Sequence, residues 1–409
     1  MIQLLAVIIA FLLIPVLGKQ KIKLSYTLLL SALLLGVISG IGPKGIFDSV
    51  LSVFTRESSL NTILTVLMVS ILGGLMKYYK LLNKIVDSIM LVVPDKRIIL
   101  MIIPAMIGIL IIPGGALLSA PFIYSLGEEM KIPSQRRAAI NLVFRHIPMF
   151  LMPYSTGLLV ISATMPGINI SRLIFLNLFY IVPTVIVGYF LFIKDLKKEK
   201  IYVSKANLGR NLFNVFLYAL PIYICVIINA ITGWPFYITM ISSIIAAYFL
   251  SNKEDFLKIT VKSINWHTVL MVAAVLILKE IILQMEGLLI IFNSMFVSNS
   301  SMIYILFIFF ISSLFFGLVT GNQAASLAII LPMISQLSVS EDMLYIYLFF
   351  SYNCAFLGYF FSPIHLCQAF TVQHMNIATL ELYKEYKYYI PLTIAVLFGF
   401  AFVMKIFVV

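Results

Sequence analysis

Long apolar runs alternate with short polar loops along the whole chain. A helix needs about 20 apolar residues to cross roughly 30 Å of hydrocarbon. Ten runs approach or exceed this length, which predicts an all-α polytopic membrane protein with about ten transmembrane helices. The predicted spans cover residues 2–17, 24–41, 60–77, 138–163, 172–193, 211–231, 235–250, 266–284, 343–370 and 388–407.

Two further apolar stretches, near 98–127 and 302–336, are interrupted by residues that break helices. The first contains Pro-Gly-Gly-Ala-Leu-Leu-Ser-Ala-Pro at 113–121, and the second contains Thr-Gly-Asn-Gln-Ala-Ala-Ser at 320–326. Glycine and proline leave backbone N–H and C=O groups that lipid cannot satisfy. Such backbone persists at membrane depth where protein or a water-filled cavity covers it, so paired interruptions indicate the binding site of a transporter.

The basic residues predict the topology. Six loops hold 22 of the 28 Lys and Arg residues, whereas the other loops and the termini hold 4. The positive-inside rule therefore places these six loops in the cytoplasm of a cell-membrane protein and both termini outside. Basic loops flank 98–127 on both sides, so this stretch should be a re-entrant hairpin from the inside, or else two short spans. The flanks of 302–336 lack Lys and Arg, which predicts a hairpin from the outside.

The order of elements predicts two inverted repeats, each with a re-entrant hairpin and a broken helix. The first repeat would cover 1–193 and the second 211–409, with a basic cytoplasmic linker at 194–210. Residues 61–72 and 267–278 share six identities, most of them aliphatic. Short amphipathic stretches follow at 77–93 and 284–299, and both are candidates for helices lying in the membrane interface.

Composition narrows the class of protein. The chain of 409 residues is 62% hydrophobic and only 11% charged, far below the roughly 25% charged content of soluble domains. Its net charge of +12 resides in loops between apolar runs, where it orients the protein in the lipid bilayer, so no nucleic-acid partner is expected. The sequence shows no catalytic motif and no metal-ligand spacing of Cys and His, so we expect neither an enzyme nor a cofactor, and no metal beyond Na⁺.

The candidate binding residues lie beside the predicted breaks. Half-helix N-termini present N–H groups to an anion, and unwound carbonyls with hydroxyl and amide oxygens suit a hard cation such as Na⁺. The candidates for substrate binding from the two hairpins are Gly114, Gly115, Ser119, Thr320, Gly321, Asn322 and Ser326. Those from the broken helices at 138–163 and 343–370 are Arg145, Ser155, Thr156 and Ser362.

Ion coupling could use Ser119, Asn322 or His365. Histidine can titrate in a proton-coupled cycle, while the hydroxyl and amide oxygens suit Na⁺. Arg145 lies about 10 Å into its helix, where a cation either snorkels to the cytoplasm or serves as the countercharge of an anionic substrate.

With the motif at 113–121 in a ten-span chain and the matching element at 320–326, the sequence resembles the integral membrane family named domain of unknown function 401. This family is grouped in the ion transporter superfamily with gluconate, citrate, lactate and dicarboxylate carriers. The resemblance implies a scaffold with a transport core, elevator-type movement and a homodimer. The paired Ser-Asn-Thr signatures of dicarboxylate carriers are missing here, which argues against assigning a dicarboxylate substrate.

These observations predict a secondary active transporter of a small, carboxylate-like organic anion, coupled to Na⁺ or H⁺. One alternative is a cation/proton antiporter on the same scaffold. Another is a membrane subunit with a structural or lipid-handling role, in which the hairpins only pack.

Overall fold

The computed structural model describes residues 2–110, 115–203, 205–295 and 301–408, and these residues form helices without any strand. The first ten α-helices are α1 (Ile2–Lys19), α2 (Leu24–Ile38), α3 (Gly42–Thr55), α4 (Glu57–Tyr78), α5 (Leu81–Met90), α6 (Lys96–Gly108), α7 (Ala116–Glu129), α8 (Ser134–Arg145), α9 (Thr156–Thr164) and α10 (Ile170–Gly188). A 3₁₀ turn at Ile147–Phe150 lies between α8 and α9, and a π-helical turn at Tyr189–Ile193 extends α10.

The second half of the chain contributes eleven α-helices after a 3₁₀ turn at Lys205–Asn207. They are α11 (Leu208–Thr232), α12 (Phe236–Leu250), α13 (Phe256–Lys262), α14 (Trp266–Leu283), α15 (Glu286–Met295), α16 (Met302–Thr320), α17 (Gln323–Ile334), α18 (Glu341–Phe361), α19 (Leu366–Met375), α20 (Thr379–Glu385) and α21 (Tyr389–Val408). Short helices α5 and α15 occur within the two stretches predicted to be amphipathic.

Eight helical segments of the described chain are long and apolar enough to cross a membrane, which agrees with a polytopic membrane protein. They are α1, α4, α10 with its π-helical turn, α11, α14, α16, the segment Glu341–Met375, and α21. The sequence predicts ten spans, and the difference has three causes. Helices α2 and α12 have only 15 residues each. The stretch 138–163 is interrupted, and α16 is a long helix in a region assigned to a hairpin.

Several helices of each half pack against a helix of the other half. Helix α2 packs against α14, and its equivalent in chain order, α12, packs against α4. Helix α3 likewise contacts α14, while α13 contacts α4. The halves are therefore interlocked, because α4 and α14 each pack against two helices of the other half.

Helices α16 and α18 cross at a pair of glycines. A Cβ atom placed on Gly358 would lie 2.3 Å from the Leu314 carbonyl oxygen, and one placed on Gly317 would lie 2.7 Å from the Ala355 carbonyl oxygen. Small residues let membrane helices approach to backbone contact and gain dispersion energy. At this crossing the backbones of α16 and α18 are therefore in direct contact.

The basic linker docks onto the start of α6. The backbone N–H of Lys96 donates to the Glu199 carbonyl at 3.1 Å, and the N–H of Ile201 donates to the Pro94 carbonyl at 2.7 Å. The Lys96 ammonium lies 2.5 Å from the Glu129 carboxylate at the end of α7 and 2.8 Å from that of Glu199. Its hydrogen bond to Glu199 lowers the pKa of that carboxyl below the ordinary value.

We expect the Lys96–Glu199 ion pair to stabilise the protein only above the ordinary glutamate pKa of about 4.3. Because the folded-state pKa of Glu199 is lowered, its stabilising effect is lost as the pH falls through that lower value. The thermal midpoint of Glu199→Gln should therefore lie below that of the native protein near neutral pH and converge with it in acid. Glu128→Gln is the control, since the described residues provide Glu128 with no ion pair. A pH-independent difference would contradict this assignment.

Candidate functional site

Three interruptions of helical structure and the end of α6 line one partly open cavity. The interruptions lie between α8 and α9, between α16 and α17, and between α18 and α19. The cavity has a volume of about 60 Å³. It is lined by Leu24, Gly108, Arg145, His146, Met149, Thr156, Met271, Gly321, Asn322, Gln323, Tyr359, His365, Leu366 and Cys367.

The break between α16 and α17 is built by three consecutive residues. Gly321 adopts a φ of +57°, and a Cβ atom there would lie 2.7 Å from the Ile364 side chain. Both the backbone conformation and the close contact therefore require glycine. The Asn322 side chain accepts from the Ala325 N–H at 3.0 Å and caps α17. The Thr320 hydroxyl lies 3.0 Å from the Asn322 carbonyl, so the freed backbone groups are satisfied locally.

The break between α8 and α9 begins several residues before Pro153 and Gly157. Helix α8 ends at Arg145, and Pro148 occupies the 3₁₀ turn that follows. Proline provides no N–H for a helical hydrogen bond, which explains the early end. Helix α9 resumes at Thr156, and the Ser155 hydroxyl lies 3.3 Å from the Tyr352 hydroxyl.

The break between α18 and α19 lies at 362–365, as predicted. The Ser362 hydroxyl donates to the Leu318 carbonyl of α16 at 2.6 Å. His365 is the N-cap of α19, and its Nδ1 lies 3.3 Å from the Phe360 carbonyl oxygen. The side chains at this break therefore connect it to α16 and to the end of α18.

Arg145 is the cation of the cavity. The residue is only 4% exposed, and its Nη1 has no hydrogen-bond partner among the described residues. Its guanidinium lies beside the Cys367 thiol. Neither Asp nor Glu occurs among the residues that line the cavity, so the lining provides no carboxylate to offset the charge.

Both kinds of helix end meet at the cavity. Thr156, Gln323 and Leu366 are the first residues of α9, α17 and α19, and the N–H groups of such N-termini favour an anion. Gly108 and Arg145 are the last residues of α6 and α8, and the negative end of a helix dipole favours a cation. The arrangement can therefore hold an anion and a hard cation near each other.

A larger cavity of about 490 Å³ adjoins the first, and the two share Leu24, Met271 and Leu366. Its lining includes Lys21 and Lys23 of the loop between α1 and α2, and no Asp or Glu. The Lys23 ammonium lies 2.5 Å from Nε2 of His267, which also lines this space. We call this larger space the vestibule. Its basic mouth favours the approach of anions.

The structure brings five of the predicted site residues together in the lining of the cavity. They are Arg145, Thr156, Gly321, Asn322 and His365. Ser155, Thr320 and Ser362 support the breaks through the hydrogen bonds described above, and the Ser326 hydroxyl donates to the Ser313 carbonyl at 2.9 Å. Gly115 precedes α7 as its N-cap. Gly114, with Pro113, lies outside the described residues.

Ser119 lies in a separate buried network. Its hydroxyl donates to Oδ1 of Asn141 in α8 at 2.6 Å, and Nδ2 of Asn141 donates to the Thr371 hydroxyl in α19 at 3.1 Å. The structure thus places Ser119 in the packing of α7 against α8 and α19, outside the lining of the cavity. Its role in substrate or ion binding stays a prediction.

The sequence analysis missed Gln323, Tyr359 and Cys367, and it considered His146 as a titrating group without assigning it to the site, although all four residues line the cavity. One ligand atom from each of His146, His365 and Cys367 lies within 4.8 Å of the others, and all three residues are buried. The inference that the chain offers no cluster of metal ligands was therefore wrong. Its three members come from two helix breaks far apart in the chain, so no sequence spacing could show it. The one sequence feature that pointed to this cluster was the position of His146 beside a predicted helix break.

Comparison with known protein families identifies the family of this chain. The sequence model of the family described as Protein of unknown function (DUF401) matches residues 1–406. The chain belongs to this family. The resemblance carried by the motif at 113–121 is thereby confirmed for the family itself. No curated protein matches the chain.

Gly108 should control the position of Arg145. A Cβ atom at Gly108 would lie 2.0 Å from the Arg145 carbonyl oxygen, so Gly108→Ala must push α6 and α8 apart. We expect it to destabilise the protein by roughly 1 to 3 kcal/mol, seen as a lower thermal midpoint. The control is Gly399→Ala in α21, where no atom lies within 4 Å of the added methyl group. Equal midpoints for the two variants would rule out this close contact.

Proposed function

We propose that the chain is a secondary active transporter of a small organic anion, which it exposes alternately to the two faces of the membrane. The observation that carries this proposal is the buried Arg145 at the cavity, with one guanidinium nitrogen unpartnered and no carboxylate in the lining. A cation inside a membrane protein is costly and marks a functional site unless it is paired.

Lys279 is a second buried cation, but unlike Arg145 it has a carboxylate neighbour. This residue is fully buried, but its ammonium lies 2.6 Å from the Glu280 carboxylate, which Arg56 also contacts at 2.6 Å. The chain therefore supplies a carboxylate where a buried cation is structural. Arg145 lies instead beside the N-termini of α9, α17 and α19, whose positive ends add to its charge. A bound carboxylate or phosphate group would compensate the charge of Arg145 and the positive ends of these helices.

The charge of the lining favours an anion carrier over an antiporter for cations alone. The cavity and the vestibule contain Arg145, Lys21 and Lys23, whereas neither lining includes Asp or Glu. A dedicated cation route is expected to contain carboxylates. A coupling Na⁺ could still bind carbonyl oxygens at the ends of α6 and α16 with Asn322, and His365 could carry a coupled proton.

We infer an inverted-repeat architecture of the ion transporter type, with the basic loops in the cytoplasm and both termini outside. The exchange of α2 and α12 between the halves supports it. In the same way, α7 packs against α8 and α19, and α17 packs against α18 and α9. The segments at 98–127 and 302–336 would then be the two opposed hairpins, with the long helix α16 and the shorter α17 as the arms of the second, and α8–α9 and α18–α19 would be the broken helices.

Replacing Arg145 should remove anion binding without destabilising the protein. We expect one member of a panel of small carboxylates, sugar acids and phosphates to raise the thermal midpoint of the purified protein, in the presence of Na⁺ or at one of two pH values. Arg145→Gln should abolish this shift and keep or raise the midpoint of the free protein, because an uncompensated buried charge is removed. A chelator is present throughout. Uptake of the same anion into proteoliposomes should be lost in parallel.

The matched control is Arg136→Gln at the other end of α8, since Arg136 pairs with Glu385 at 3.5 Å. It should retain the anion-induced shift. If Arg145→Gln lowered the midpoint of the free protein and left the shift intact, Arg145 would be structural. Stabilisation by Na⁺ alone would favour the antiporter, and stabilisation by none of the solutes would favour a subunit that does not transport.

The vestibule should be reachable from the cytoplasmic face. His267→Cys should react with a membrane-impermeant maleimide in inside-out vesicles only, because His267 lines the vestibule beside Lys23. Trp234→Cys, in the loop between α11 and α12, should react from the opposite face. The native cysteines are buried, so the unmodified protein sets the baseline. Labelling of both positions from one face would overturn the proposed topology.

A further inference from the structure

We propose that His146, His365 and Cys367 form a binding site for a borderline or soft transition-metal ion, for which Zn²⁺ is the reference. This site goes beyond anion transport and does not depend on it. Two imidazoles and one thiolate are ligands that zinc prefers. One ligand atom of each residue already lies within 4.8 Å of the others.

The hydrogen bonds of the two histidines point to metal ligation. Nδ1 of His146 lies 2.6 Å from the Leu142 carbonyl oxygen, and Nδ1 of His365 lies 3.3 Å from that of Phe360. A carbonyl oxygen only accepts, so each Nδ1 carries the proton and each neutral ring keeps its lone pair on Nε2. Metal-binding histidines are oriented in this way, through a hydrogen bond from the nitrogen that does not bind the metal.

The Nε2 atoms of His146 and His365 make few hydrogen bonds. Nε2 of His365 is buried and has no hydrogen-bond partner among the described residues, although His365 is only 1% exposed. Nε2 of His146 lies 3.4 Å from the Tyr359 hydroxyl, and both imidazoles lie beside the Cys367 thiol. Buried polar atoms without a partner are rare in native proteins and call for an explanation. A metal ion shared with the Cys367 sulfur would supply it.

Distances and charge are compatible with such an ion. Zinc bonds of about 2.0 Å to nitrogen and 2.3 Å to sulfur hold tetrahedral ligand atoms roughly 3.3 to 3.6 Å apart, so side-chain rotations that close the cluster by up to about 1.5 Å suffice. A Zn²⁺ ion on one thiolate and two neutral imidazoles carries one net positive charge beside Arg145, and an anion at the fourth coordination position would offset that charge. Three protein ligands leave one coordination position, and the cavity that all three residues line provides room for an anion or water there.

The test is metal binding by the full-length protein in detergent after chelator treatment. Titration with Zn²⁺ against a chromophoric chelator should reveal one site per chain. Cys367→Ser and His365→Gln should weaken it by more than the roughly tenfold to 100-fold typical of changes outside the ligand set. Two matched controls, Cys354→Ser and His374→Gln, should bind Zn²⁺ like the native protein. Thermal midpoints of the metal-free variants show whether each is folded.

Co²⁺ provides a test that needs no folded variant. Bound at this site in the native protein, it should show the intense visible absorption of tetrahedral Co²⁺ together with a thiolate charge-transfer band. The proposal is overturned if the native protein binds no Zn²⁺, if Cys367→Ser and His365→Gln bind it as the controls do, or if the Co²⁺ complex lacks the thiolate band. Such a failure would leave the anion proposal intact, since its own test is carried out with a chelator present.

Discussion

The structure depends on one constraint, which is that backbone freed from a helix inside a membrane must find its hydrogen bonds within the protein. The Asn322 amide caps α17, and the Thr320 hydroxyl serves the backbone before it. The Ser362 hydroxyl ties the break after α18 to the Leu318 carbonyl of α16. The first two bonds are local to the break between α16 and α17, whereas the third joins two separate helices and requires that α16 already packs against α18.

The same breaks create the electrostatics of the site. A helix that ends inside the protein leaves a partial charge at its end, and here three N-termini and two C-termini meet at a cavity of about 60 Å³. Arg145 adds a full positive charge at the end of α8. The lining is therefore positive overall, as the proposed binding of a small anion requires.

In the proposed transporter, the cavity and the vestibule would have different roles in recognition. The vestibule is wider and basic, and its Lys21 and Lys23 would raise the local concentration of anions without fixing their orientation. The cavity is smaller and is lined by groups with fixed directions, namely helix ends, Asn322 and the imidazoles of His146 and His365. A metal ion at the two imidazoles and Cys367 would lie in this inner space, close to the proposed anion site.

The sequence by itself determined what depends on local chemistry. Hydropathy located the long helices, and proline, glycine and small polar residues located the breaks, so Arg145, Thr156, Gly321, Asn322 and His365 could be named before the fold was known. Hydropathy could not decide that α16 is a long continuous helix, since both arms of a hairpin are also apolar. Only tertiary structure decided that Ser119 bonds to Asn141 and that Cys367 meets His146. Those pairs come from helices distant in sequence, and no local pattern encodes which of their faces meet.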